Sequence, residues 1–313
     1  MPSQLSRVAS SAKVRNYARG AGQSAMDRMR IAKFLAPVCP VPGIKFQYWA
    51  YDSRAPFRVM NTKRVINGPA AQLETGGTLI NDELVANAID APIDEIEKMG
   101  EEELEVTLMD RADEAAEAAA LANEVDVLSV ALAAAGAGTD INAAQASNVD
   151  LKLTIETAIL GVYKAVKAGS NLRLRILFGA SAGLRMSNHN SIRALYKGGA
   201  KTTATPSLQD LSGLIMGSPE VLHSLTVYDN SPEGTAENLA WNLDNQVLIF
   251  VGNDTPTRRD QSFMKTFAPR GEIMKSGSYI RPDGRGEVAK MDWFTKPKVT
   301  NAAACVLLNF NAA

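Results

Sequence analysis

Gly179-Ala180-Ser181-Ala182-Gly183 has the spacing of a nucleophile elbow, the sharp strand-to-helix turn that exposes a serine hydroxyl for acyl transfer. An apolar run precedes it, a helical stretch follows, and Asp210 and His223 come later in the order Ser, Asp, His that such hydrolases use. The surroundings argue the other way. An elbow of this kind caps a parallel sheet built from several earlier strands, whereas here a basic segment, an aromatic segment and two long helices come first. His223 lies in Val-Leu-His-Ser-Leu, the setting of an ordinary structural histidine. The other histidine, His189, stands in a polar Ser-Asn-His-Asn-Ser turn, with no Asp, Glu or Cys at metal-ligand spacing beside it, and reads as a loop residue. Two cysteines, Cys39 and Cys305, make neither a disulfide framework nor a zinc site. The acidic block from Asp94 to Glu105 reads as a solvated helix start, with acids at the positive end of the helix dipole. No catalytic, cofactor or metal site is expected.

The elements that would position any site are easier to read. Leu104, Leu108, Ala112, Ala115, Ala119, Ala122, Val125, Leu128 and Leu132 recur in steps of three and four, one stripe of a helix. Asp110, Asp113, Glu117 and Glu124 are expected on its wet face, a polar turn at 90–94 leads into it, and Gly136 and Gly138 end it. Such a rod would be on the order of 45 Å long. Before it, residues 1–33 carry seven basic side chains against one acid and read as a flexible, solvated arm. Residues 44–89 hold Phe46, Tyr48, Trp49, Tyr51 and Phe57 in short extended runs broken by turn residues, a two-stranded excursion. An isolated hairpin is marginal in water, so its rings must lie either on the parent domain or on another molecule. After a linker at 137–148, a helix at 149–168 buries Leu151, Ile155, Ile159, Val162 and Val166. Strands are expected at 172–178, 221–228, 247–251 and 304–310, with a short helix at 208–216, which makes an α+β chain.

With 313 residues, 46% of them hydrophobic and a net charge of −1, the chain can bury a core and is no bulk polyanion binder. No continuous apolar run approaches the roughly 18 residues of a membrane span, so no membrane role is expected.

The order of basic arm, aromatic β excursion, return strand, long helix and α/β unit resembles the major capsid protein of tailed bacteriophages, a fold shared with encapsulin shells. The residues that carry the resemblance run from Asp82 to Asp94, from Ala119 to Glu124, from Asn245 to Val251 and from Ser262 to Phe267. It implies an N-terminal arm at 1–43, an extension loop at 44–89, a peripheral domain with a spine helix at 90–148, an axial domain at 149–250, peripheral strands at 251–290 and a C-terminal return strand at 291–313. Phe46, Tyr48, Trp49, Tyr51, Phe57, Lys63 and Arg64 would then touch an adjacent subunit, and Arg15, Arg19, Arg28 and Arg30 would reach acidic neighbours or packaged genome. The implied function is structural: pentamers and hexamers closing an icosahedral head around double-stranded DNA, bound without sequence preference, assembled in the host cytoplasm and located in the virion. Portal, scaffolding and decoration proteins are the further partners implied, with scaffolding either separate from this chain or not needed. An encapsulin-type compartment and a serine hydrolase acting through Ser181 are the alternatives.

Overall fold

The computed structural model describes residues 12–51, 63, 68, 77–94, 101–166, 173–197, 206–232, 234–258, 260–271, 273–282 and 286–311. The basic arm is helical where described: α1 (Ala12–Arg28) and the short α2 (Arg30–Leu35). Ala18, Ala25, Ile31, Ala32 and Leu35 are buried, so this stretch packs into its own chain; the expected solvated tail is corrected for 12–35. Pro37 precedes and Pro40 lies within β1 (Val38–Val41), which pairs with one strand among the described residues, and a strand tolerates proline where no ladder bond is required.

The excursion follows as β2 (Lys45–Tyr51) and β3 (Gly77–Glu83), paired antiparallel from Lys45 opposite Glu83 to Tyr51 opposite Gly77. Leu84 turns the chain into β4 (Val85–Asp94). The polar segment at 90–94 is therefore strand, not turn: Asp90 to Asp94 pair with Lys290 to Gly286. Alternation hides a half-exposed strand of this kind when its exposed positions include Asp90 and Pro92.

The long helix α3 (Glu101–Ala135) has 35 residues, about 52 Å at 1.5 Å each. Its buried stripe starts as expected at Leu108, Ala112, Ala115 and Ala119, then runs through Ala116, Ala120, Asn123, Glu124, Val127, Leu128 and Ala131. Ala122 is exposed and Glu124 buried, the reverse of the expectation. A straight helix turns 3.6 residues per cycle and its contact line drifts with whatever packs on it. By length and mean hydropathy alone a window within Val106–Ala135 would qualify as a membrane span, although charged residues interrupt it and no continuous apolar run there reaches 18 residues. Its small side chains are used instead inside the fold: Ala115, Ala116, Ala119 and Ala120 let α1 and a strand pair bearing Met274, Met291 and Trp293 approach closely.

The supposed linker contains β5 (Thr139–Asn142), which pairs in parallel with the C-terminal strand. Helix α4 (Leu151–Val166) buries all five residues of its stripe. Then come β6 (Arg173–Phe178), α5 (Ala180–Asn188), α6 (Asn190–Lys197), α7 (Leu208–Leu214), β7 (Glu220–His223), a small ribbon of β8 (Val227–Asp229) and β9 (Leu239–Trp241), and β10 (Gln246–Gly252). The chain closes with β11 (Met264–Pro269), β12 (Met274–Ile280), β13 (Gly286–Val299) and β14 (Cys305–Asn311).

Two five-stranded sheets result. One runs β5-β14-β10-β6-β7; in the other, β1-β11-β13-β12 are in order and β4 pairs with β13 as well. A strand from the middle of the chain, β5, and the C-terminal one, β14, thus belong to the sheet of β6 and β10. Pairing across more than 100 residues leaves no local trace in a sequence.

Candidate functional site

The elbow resolves into packing. Strand β6 delivers Gly179, the N-cap residue of α5, against the backbone of Leu243 and Asp244; a Cβ there would fall 2.2 Å from the Asp244 carbonyl oxygen. A Cβ on Gly183 would fall 2.6 Å from His223 Nε2. Both glycines are therefore required by close approach, whatever stands at Ser181. Asp210 belongs to a capping box: its carboxylate accepts from the Ser207 hydroxyl at 2.7 Å and from the Ser207 N–H at 3.0 Å. His223 Nε2 lies 3.1 Å from the Ala180 carbonyl oxygen, so this nitrogen carries the proton and is unavailable as a base. A fluorophosphonate probe incubated with the folded protein is expected to leave Ser181 unlabelled, as intact-mass spectrometry would record; stoichiometric labelling would restore the hydrolase.

His189 is the connecting residue between α5 and α6, a turn position as expected, but it is fully buried there, with Nε2 2.9 Å from the Ser147 hydroxyl and Nδ1 accepting from the Ser191 N–H at 3.3 Å. Burial pushes its pKa below the ordinary histidine value, which suits a neutral tether for the β5–α4 connection. Among the described residues no group of His, Cys, Asp and Glu could hold a metal ion.

The ribbon of β2 and β3 has two parts. At its base, Phe46 and Tyr48 are buried against Phe267, with ring centroids 4.5 and 5.3 Å away, in a cluster with Cys39, Val41 and Leu84. Those two rings are satisfied by their own chain, so their placement on a neighbour is corrected; the period-2 pattern does not say on whose body a ring lies. Asp82 and Lys298 close the base at 3.1 Å. Burial raises the Asp82 carboxyl, but the Lys298 ammonium and the Glu83 N–H outweigh it and hold the pKa below the usual range. Further out, Trp49 is half-buried, its N–H donating to the Arg258 carbonyl at 3.3 Å, and Leu79 opposite it is 44% exposed. No third strand pairs with this ribbon among the described residues. Lys63 is exposed; Phe57, Arg64 and the side chain of Tyr51 lie outside the described residues.

The arm does find an acidic surface, that of its own spine helix. Arg28 pairs with Glu117 at 2.8 Å, and Tyr17 donates to Asp113 at 2.7 Å. Arg28 remains 58% exposed in that pair, Arg30 is exposed, and the side chains of Arg15 and Arg19 lie outside the described residues. Sequence reasoning missed Glu124. Its carboxylate accepts from the Ile31 N–H at 3.2 Å and the Thr226 hydroxyl at 2.7 Å, joining α2, α3 and the root of the β8–β9 ribbon. The signal was present in Asn123-Glu124 standing on the stripe between Ala120 and Val127.

A helical arm, a projecting ribbon, a long helix across two mixed sheets: this α+β architecture is the phage capsid-protein fold, as the sequence resemblance implied. The chain is similar to a phage-related protein from Bordetella bronchiseptica RB50, with a TM-score of 0.66 and 17% identity over 96% of each chain. It is also similar to the capsid of a native GTA particle, with a TM-score of 0.54 and 12% identity over 91% of each chain. A third likeness is to the mature capsid of bacteriophage PhiM1, with a TM-score of 0.51 and 9% identity over 90% of this chain and 87% of that one. No model of a known protein family matches the sequence, and no curated protein does.

Proposed function

We propose that this chain is a shell subunit whose work is self-assembly and not catalysis. The observation that carries the reading is the β2–β3 ribbon: firmly rooted by Phe46 and Tyr48, two strands wide, with Leu79 exposed beyond the root. A two-stranded ribbon gains little stability by itself in water, and an exposed apolar position on it gains burial when another molecule covers it. A ribbon on one copy that lies on a different surface of the next makes a heterologous contact, which builds rings and closed arrays. The likeness to capsid structures over nine-tenths of the chain supports the same conclusion. In this reading the copies form pentamers and hexamers of an icosahedral phage head, in the virion, around double-stranded DNA. Portal, scaffolding and decoration proteins would meet the shell from outside this chain.

The test is negative-stain microscopy and native mass measurement on the purified chain. Closed particles are expected, and a monomer at every concentration would overturn the reading. Nucleic acid inside particles made in cells supports the head; a folded cargo protein inside would favour the encapsulin-type compartment. Leu79→Ser is expected to leave the monomer's Tm within about 2 °C, as exposed substitutions do, while raising the concentration for assembly several-fold.

A further inference from the structure

The unit built on β6 and β10 is split electrically along the chain. Residues 151–205 hold nine Lys or Arg and one acid, whereas residues 206–257 hold seven acids and no Lys or Arg. Part of this charge is spent inside the molecule: Arg175, almost fully buried, pairs with Glu220 and Asp254, and Arg173 pairs with Asp254. Setting those four residues aside leaves the first stretch at +6 and the second at −5.

Each stretch also presents apolar side chains to solvent. On α4, Leu153 and Leu160 are 61% and 58% exposed on the helix face opposite its buried stripe, with Lys164 one turn further on. On the small ribbon, Leu239 and Trp241 are 62% and 45% exposed; Trp241 faces Val227 across the strands, and Asp229 and Glu237 lie at its end. Neither Lys164 nor Glu237 has an ion-pair partner among the described residues. An exposed tryptophan beside leucine and valine is the composition of an interface centre, and charges around it set which partner docks.

Resting on the shell reading, we infer that the β8–β9 ribbon of one copy docks on the exposed face of α4 of the next. The occupant is a second copy of this chain, because the two patches are complementary in charge and both apolar at the centre. A two-fold contact of ribbon on ribbon would set Asp229 and Glu237 against their own kind, and α4 on α4 would set Lys164 against Lys164, since Lys152 is paired with Glu156 on its own helix. Only the head-to-tail arrangement brings opposite signs together, and repeated around an axis it closes a ring.

Two chains test this, one carrying Leu160→Cys and the other Leu239→Cys, purified separately as unassembled subunits, mixed before assembly, then treated with a short bis-maleimide. Cross-linked dimer is expected in the mixture, well above the level in either chain alone or in the wild type. Self-linking of either single variant to the same level would mean a two-fold contact and overturn the inference. Particles that form without cross-linking in the mixture would overturn it while leaving the shell reading intact. Cross-linked rings that never close into particles would uphold it and overturn the shell. As an independent arm, Trp241→Ala is expected to raise the assembly concentration on the order of tenfold with the monomer still folded; unchanged assembly would count against the docking.

Discussion

Lys265→Met is expected to lower stability by about 3–5 kcal/mol at neutral pH, the cost of breaking a buried pair from one side. Lys265 is fully buried on β11 and its ammonium is 2.7 Å from Asp260 Oδ1. It also donates to the carbonyls of Thr257, at 2.7 Å, and Asp260, at 3.1 Å. Asp260 in turn accepts from the N–H groups of Thr257 and Ser262, at 2.6 and 3.0 Å, and from the Ser262 hydroxyl. The whole turn between β10 and β11 is thus wound around one cation, and methionine fills the volume while removing the charge. Arg258, in that same turn, offers the carbonyl that accepts from the backbone N–H of Trp49 on the β2–β3 ribbon. Losing the cation is therefore expected to loosen the ribbon as well as the core. Burial raises the Asp260 carboxyl, yet its bonds to Lys265 and Ser262 outweigh this and hold its pKa below the ordinary aspartate value. A depressed folded-state pKa gives stability that is full above the unfolded value and is lost as pH falls through the folded one. The gap between wild type and Lys265→Met, measured by chemical denaturation, should accordingly narrow below about pH 4. A gap that is small at pH 7, or constant with pH, would show that the turn holds without its cation.

What the sequence made legible follows from which signals are local. The stripe of α4 and the first half of α3 obey a period of 3.6, and each stripe residue from Leu151 to Val166 is buried as its spacing says. The β2–β3 pairing was also legible, because aromatic runs and glycine turns are written within one segment. What was hidden depends on distant partners. Strand β5 is a four-residue piece that exists because β14, far along the chain, lies beside it. Strand β13, with 14 residues, pairs with β4, β11 and β12, and β4 lies far earlier in the chain. The candidate site divides in the same way: that the ribbon exists is a local fact, whereas Phe267 waiting beneath Phe46 and Tyr48 is not.

Glu124→Ala is expected to cost about 2–4 kcal/mol, since it removes two hydrogen bonds to a charged acceptor and strands the Ile31 N–H and the Thr226 hydroxyl in a dry site. Glu124→Gln keeps the shape but turns a donor group toward at least one donor, for about 1–2 kcal/mol. The reasoning rests on what the carboxylate replaces: α2 has no side-chain cap of its own at Met29, so α3 supplies the acceptor from 93 residues away. The Asn242 amide points toward the same carboxylate without closing a hydrogen bond. Burial raises the pKa of Glu124, and the bonds from Thr226 and Ile31 only partly offset it. The sign is then opposite to that of Asp260. A raised folded-state pKa means the folded chain binds the proton more tightly, so the ionised group subtracts stability at neutral pH and returns it as pH falls toward the ordinary glutamate range. Replacing Glu124 by Gln should therefore become more costly relative to wild type on mild acidification, while replacing Lys265 becomes less so. Because Glu124 joins the arm to the root of the β8–β9 ribbon, its loss should also raise amide hydrogen exchange in 30–35 and 225–242 together, ahead of global unfolding. Exchange that rises in one segment alone would mean that the carboxylate braces that element and does not couple the two.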